Sequence, residues 1–384
     1  VLAATRPRLS RLIKSVLAAA VFAGLYFLSG GAALLAVPDA WWAVPSAFLG
    51  LGAIAILCQE GFWSDDPLSR ADRDLLWTTI LTPIVCLISS VAISAASGFV
   101  PLTRDASLYW FDQGLGYQPS FEVGRWFAAN PQLAQICATV YNMLPMWMTL
   151  LFVLQMLRPR PELEDVRLSM ICLGIAGFLL YAICPAAGPI HYFRDNFPWH
   201  EMRITAGMVV PVAVEDVPRN AMPSLHVGWA LLMFYHSFRW GSIWRVIYAL
   251  VLALTALATL GSGEHYLIDL VVAASLTLAV QAATAARLHR AALIFGAGLA
   301  VAWPATLRST VWQTNLMAIG WTIAALTIAL SVAWSMRIAL ATRAVRHVGS
   351  SPVMPVPRAS FRFKPPGSDG GATRLVSASA RTGS

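Results

Sequence analysis

The chain has 384 residues, 58% of them hydrophobic and 12% charged, with a formal net charge of +8. A soluble domain carries about twice that charged fraction, so the composition excludes an ordinary water-soluble globule. Many charge-free runs approach the roughly 20 residues of a bilayer span, and they do not alternate in the way a membrane β-barrel requires.

In chain order these runs predict an all-α polytopic membrane protein of about ten spans: 15–37, 41–59, 75–98, 132–157, 168–186, 222–238, 243–261, 264–286, 291–307 and 313–336. Gly30, Gly31 and Pro38 interrupt the first two runs, so one span plus a re-entrant piece is the alternative there. No cleavable signal peptide is expected, because the first run lacks a small-residue cleavage site. The loop 99–131 carries Tyr109, Trp110, Phe111, Tyr117, Phe121, Trp126 and Phe127. Such aromatics suit the headgroup layer, which predicts a short interfacial helix, with a substrate lid as the sharper alternative. From about Arg337 the chain turns rich in Pro, Ser, Gly and Arg and reads as a disordered basic tail. The five cysteines lie in or beside apolar runs without a CxxC pair, so buried thiols are expected rather than a disulfide framework or a zinc site.

Orientation follows from the basic residues. With the N-terminus inside, the outer segments hold Arg104, Arg125, Arg194, Arg203, Arg219 and Arg308, while most other Lys and Arg fall inside. This is the positive-inside pattern. It predicts cytoplasmic termini in a plasma (inner) membrane, and it accounts for the net charge without a nucleic-acid partner.

Two segments carry chemistry. "RNAMPSLHVGWALL" (219–232) leads through Pro223 and Ser224 to His226 at the outer start of the sixth span. "GSGEHYLID" (261–269) brings His265 to the start of the eighth span from the same side. Asp269 lies one helical turn beyond His265, on the same face. A carboxylate that far into a span needs a partner, and His265 is the obvious one. A carboxylate on one ring nitrogen fixes the tautomer and leaves the other nitrogen free as nucleophile or base. Pro223 and Ser224 mark a helix N-terminus, whose N–H groups suit an anion. Gly261 and Gly263 allow close backbone approach. Arg194, Arg203 and Arg219 on the loop 187–221 offer guanidinium groups to phosphate oxygens. The set is that of a phosphoryl-transfer site.

A lone histidine at a span end is most often interfacial. His236, His289 and His347 are given that reading, while His191 and His200 stay open. An intramembrane serine protease using Ser224 or Ser262 has no need of Asp269. A transporter would show broken helices in matched halves, and no such repeat is visible.

"PSLH" at 223–226 and "HYLID" at 265–269 resemble two motifs of the phosphatidic acid phosphatase type 2 superfamily. The likeness is closest to its branch of inositol phosphorylceramide and sphingomyelin synthases, which includes the aureobasidin-resistance-like inositolphosphotransferases. "YAICPAAGPIHYF" at 181–193 is similar to that branch's Pro-rich segment. The resemblance implies a six-helix catalytic core over residues 75–286, flanked by membrane helices in 1–74 and 287–336, with the tail at 337–384. It also implies that His265 attacks phosphorus, that Asp269 orients it and that His226 protonates the leaving oxygen. Ser224, Gly263 and the arginines would hold the phosphate, with no metal or other cofactor. The substrates would be membrane lipids, with an alcohol acceptor in a transferase or water in a phosphatase. Thr259 stands where the longer family motif has an arginine, and the first family motif is not recognisable.

Overall fold

The computed structural model describes residues 100–157, 166–214, 217–309 and 317–348. The expected spans at 15–37, 41–59 and 75–98 lie outside the described residues. What is described is almost entirely helical.

A two-residue antiparallel pair joins β1 (Leu102–Thr103) to β2 (Val212–Ala213), with Thr103 opposite Val212. Two short helices follow, α1 (Asp105–Gln113) and α2 (Pro119–Ala129). The expectation of an interfacial helix is corrected here. Tyr109, Phe111 and Phe121 are fully buried, while Tyr117 and Trp126 are exposed. The buried rings interlock: Tyr109 packs on Phe193, Phe121 on Phe197, and Phe111 between Trp303 and Trp321. An aromatic cluster of this kind removes its rings from water and lipid alike. It makes α1 and α2 a packed layer of the structure.

The expected span 132–157 is two helices, α3 (Pro131–Asn142) and α4 (Leu144–Leu157). Pro145 explains the break. It lacks an N–H, and its ring clashes with the carbonyl four residues earlier, so it is tolerated in a first turn but not mid-helix. The next helix, α5 (Val166–Ile183), leads into the Pro-rich loop containing the one-turn α6 (Pro189–Phe193). Then come α7 (Leu225–Ser237), α8 (Ser242–Gly261), α9 (Leu267–Thr284), α10 (Arg290–Arg308) and α11 (Met317–Val348). The last helix continues through Arg337 to Val348, so this part of the expected tail is helical.

Against the ten expected spans, the described residues hold five helices long and apolar enough to cross a membrane: α5, α8, α9, α10 and Ile319–Ala341 of α11. The helix at the expected span 222–238, α7, has only 13 residues, about 20 Å at ~1.5 Å per residue. Among the five, α9 is the central post. Its apolar window is 78% buried, against 33% for each of the others. It packs against α1, α5, α7 and α10. Its run of Ala273, Ala274, Ser275, Thr277 and Ala279 presents small side chains. In a bilayer, helices associate through such close contact rather than through a hydrophobic drive. The first turn of this buried helix carries Asp269.

Candidate active site

The two motif segments fold against each other. The Ser224 N–H donates to the Asp269 carbonyl at 3.3 Å, and His265 Nδ1 lies 2.7 Å from the Ala221 carbonyl. Ser224 is the N-cap of α7, which puts His226 in its first turn. The peptide bond before Pro223 is cis, and Pro223 lies just outside the helix rather than in its first turn. Tyr266 is the N-cap of α9, and the Asp269 carboxylate reaches back to the Tyr266 N–H at 2.8 Å. This is the acidic half of a capping box, so Asp269 serves the helix as well as the histidine.

His265 is 3% exposed and held on several sides. Its N–H donates to the Thr259 carbonyl at 3.2 Å, and its carbonyl accepts the Ser120 hydroxyl at 2.8 Å. At Nδ1 the sequence pointed to Asp269 as the orienting acceptor. Asp269 Oδ2 does face Nδ1, at 3.4 Å, but the Ala221 carbonyl is nearer. The Ala221 carbonyl can only accept, so the proton lies on Nδ1 and the lone pair on Nε2. Burial pushes His265 down to about 4, with the charge of Glu264 and the Ala221 carbonyl working the other way. The ring is therefore neutral at pH 7.

His226 is half-buried and differently supported. Its ring stacks on Tyr141 at 4.0 Å between centroids, with Nδ1 3.0 Å from the phenol oxygen. When the phenol donates, Nδ1 accepts and the ring is neutral with its proton on Nε2; in the imidazolium form Nδ1–H donates to the phenol oxygen instead, leaving Nε2–H to act as an acid. Burial pushes His226 down to about 3, with the charge of His265 acting the same way.

Among the described residues, two buried oxygens of the motif segments have no hydrogen-bond partner: Ser224 Oγ and Asp269 Oδ1. Buried polar atoms without partners are costly. The Ser224 hydroxyl therefore does not cap α7 and stays available to a bound oxyanion. Gly263 has φ +76, and a Cβ there would meet Phe197 at 2.8 Å. Gly188 has φ +92, and its Cβ would sit 2.3 Å from the Glu264 carbonyl. Both positions therefore require glycine. The Ile190 N–H to Gly263 carbonyl bond, 2.9 Å, ties the two loops together.

Expectation and structure part at the arginines. Arg219 is 5% exposed and all three of its nitrogens donate to main-chain carbonyls: Val100 at 3.3 Å, Val217 at 2.7 Å, Pro101 at 3.3 Å, and Val214. It knots the loop before α7 to the strand pair, instead of presenting its guanidinium to a phosphate. Arg194 (φ 49) and Arg203 are exposed on the loop 187–221. Arg194 shares a surface pocket with His191, Asp195 and Trp199. His191 also stands 3.9 Å from Glu264. Thr259, at the position of the absent family arginine, is fully buried and hydrogen-bonds within α8.

Sequence reasoning missed four residues here: Tyr141, Ser120, Asp105 and Asp112. The Asp105 carboxylate accepts the N–H groups of Ala187 and Gly188 and the Tyr266 hydroxyl. Asp112 accepts the N–H groups of Leu267 and Ile268, the orphan donors at the start of α9, at 2.7 and 3.3 Å. Burial raises both carboxyls, and the N–H donors pull them back. The available signal was two acids seven residues apart, on one face of a helix otherwise rich in aromatics. Among the described residues no group of three or more His, Cys, Asp or Glu side chains is arranged to hold a metal ion.

Fold and site together define a helical membrane protein with a His–His–Asp constellation where two helices begin. Residues 106–283 match the family model described as PAP2 superfamily. The match starts within α1 and ends within α9, so it spans every residue of the constellation. This is a likeness to that superfamily over 178 of the 384 residues. No curated protein and no solved structure matches the chain.

Proposed function

We propose that the protein is a membrane lipid phosphotransferase working through a phosphohistidine at the extracytoplasmic face of the plasma membrane. In this reading His265 Nε2 attacks phosphorus and the bond to the leaving oxygen breaks. The charge of the bound phosphate favours the imidazolium form of His226, which gives its Nε2 proton to that oxygen and becomes neutral. An alcohol acceptor then loses its proton to His226 and attacks the phosphohistidine. The P–N bond breaks and both histidines return to their starting forms. The Ser224 hydroxyl and N–H groups near it stabilise the equatorial oxygens, where placement of donors carries most of the catalysis.

One observation carries this reading. The buried His265 ring donates from Nδ1 to the Ala221 carbonyl at 2.7 Å, with Asp269 Oδ2 3.4 Å from the same nitrogen, which leaves Nε2 free as a nucleophile. The likeness of "PSLH" and "HYLID" to the sphingolipid-synthase branch favours transfer to an alcohol over transfer to water. Arg194 and Arg203 are the candidates for a phosphate clamp, because Arg219 is engaged elsewhere.

The test uses purified protein in nanodiscs with radiolabelled lipid phosphates and phosphodiesters, with and without ceramide, diacylglycerol or a polyol. Label passing to the alcohol is the expected result. Release of free phosphate at a rate indifferent to every alcohol would make the protein a lipid phosphate phosphatase instead.

A further inference from the structure

We infer that Asp105 is a positioning residue for His265, acting through the main chain without touching the reacting atoms. The inference rests on the reading of His265 as nucleophile.

The connection is continuous. The Asp105 carboxylate takes the Ala187 N–H at 3.0 and 3.1 Å and the Gly188 N–H at 2.8 Å. The neighbouring Ala186 carbonyl accepts the Ala221 N–H at 2.9 Å. The Ala221 carbonyl, on the other side of the same residue, is the acceptor at His265 Nδ1. From the opposite direction, Asp105 accepts the hydroxyl of Tyr266, the residue after His265, at 3.0 Å. One carboxylate therefore fixes both the loop that carries the acceptor and the loop that carries the ring. A catalytic group has to be held within about 0.5 Å, and slack in either loop lengthens the Nδ1–carbonyl contact. The imidazole then loses its reason to keep the proton on Nδ1.

Asp112 supplies the contrast. It lies on the same helix and is equally buried, but its bonds go to the first turn of α9 and not to the Ala187–Ala221 connection. Loosening Asp112 relaxes a helix start, whereas loosening Asp105 frees the acceptor.

The test compares Asp105→Asn, Tyr266→Phe and Asp112→Asn in the full chain in nanodiscs, with short-chain phosphatidic acid as the probe. The readouts are kcat, KM and the ¹⁵N-histidine NMR tautomer of His265. Asp105→Asn keeps the shape but turns an amide toward the Ala187 N–H. It is expected to lower kcat by up to about 100-fold, to leave KM within about twofold, and to mix the Nδ1–H and Nε2–H tautomers. Tyr266→Phe removes one donor to Asp105 and should shift kcat and tautomer the same way by less. Asp112→Asn should lower Tm with the tautomer kept.

An Asp105→Asn enzyme with unchanged kcat, or with reduced kcat but a wild-type tautomer, overturns the inference. So does an Asp112→Asn tautomer shift of equal size. If Asp105→Asn does not fold, Tyr266→Phe decides by the same readouts. Turnover surviving His265→Ala would instead remove the nucleophile reading, and the tautomer data would still judge the geometric claim.

Discussion

His265 sits in a loop tied at its N–H, its carbonyl and its ring, whereas His226 stands half-buried in the first turn of α7 with, among the described residues, the Tyr141 phenol at its Nδ1. Under the proposed mechanism the difference matches two different tasks. A nucleophile has to meet phosphorus along one line and in one tautomer, so rigid support serves it. An acid that protonates the leaving oxygens of different lipids gains from a ring that can follow them. The sequence presents the two histidines as near twins at two helix starts, and only the contacts separate them.

The largest effect should come from the rigid member. His265→Ala is expected to lower kcat by at least about 10⁴-fold, the scale seen when a nucleophile is lost, measured by transfer of label from a lipid phosphate. His226→Ala should cost about 10²–10⁴-fold with a lipid alcohol as leaving group, and much less with a nitrophenyl ester, whose oxygen leaves without a proton. Equal losses with both substrates would mean that His226 is not the acid. Tyr141→Phe removes the phenol that engages Nδ1 of His226 and keeps the stacked ring. It should cost about tenfold or less, the scale of one neutral hydrogen bond, in the same kinetic assay.

A pH profile sharpens the comparison further. Burial holds His265 down to about 4, so its lone pair is available above that value and is lost as pH falls through it. Phosphoenzyme formation in single turnover should therefore stay level between pH 7 and about 5 and fall below about 4. A fall centred on the ordinary histidine value of about 6.5 would mean that the ring is solvated in the working enzyme.

The parts of the site legible in the sequence are those written within a few residues. "PSLH" and "HYLID" each put a histidine at or just before a helix start, and Asp269 comes within 3.4 Å of His265 Nδ1 although the ring lies in the loop ahead of α9 and not on its face. Pro145 likewise held the information that the run 132–157 breaks, although hydropathy alone masks it. The supports were not legible because they act across the chain. Ser120 reaches the His265 carbonyl over 145 residues, and Asp105 reaches Tyr266 over 161. In a sequence, an acid on an aromatic-rich helix reads as an interfacial residue, since the loops it binds are specified elsewhere. Arg219 was misread for a related reason. A guanidinium near a phosphate motif suggests anion binding, and only the fold reveals four carbonyls converging on it. The Ala221 carbonyl, the nearest partner of the key ring, leaves no trace in residue type at all.

The most direct test of the account is to find where the phosphoryl group rests. Protein in nanodiscs, mixed with labelled lipid phosphate, quenched in alkaline detergent and mapped by mass spectrometry, should carry an acid-labile phosphate on His265, absent from His265→Ala and accumulating in His226→Ala with the nitrophenyl substrate. Label on His226, on Ser224, or on no residue during active turnover would contradict it.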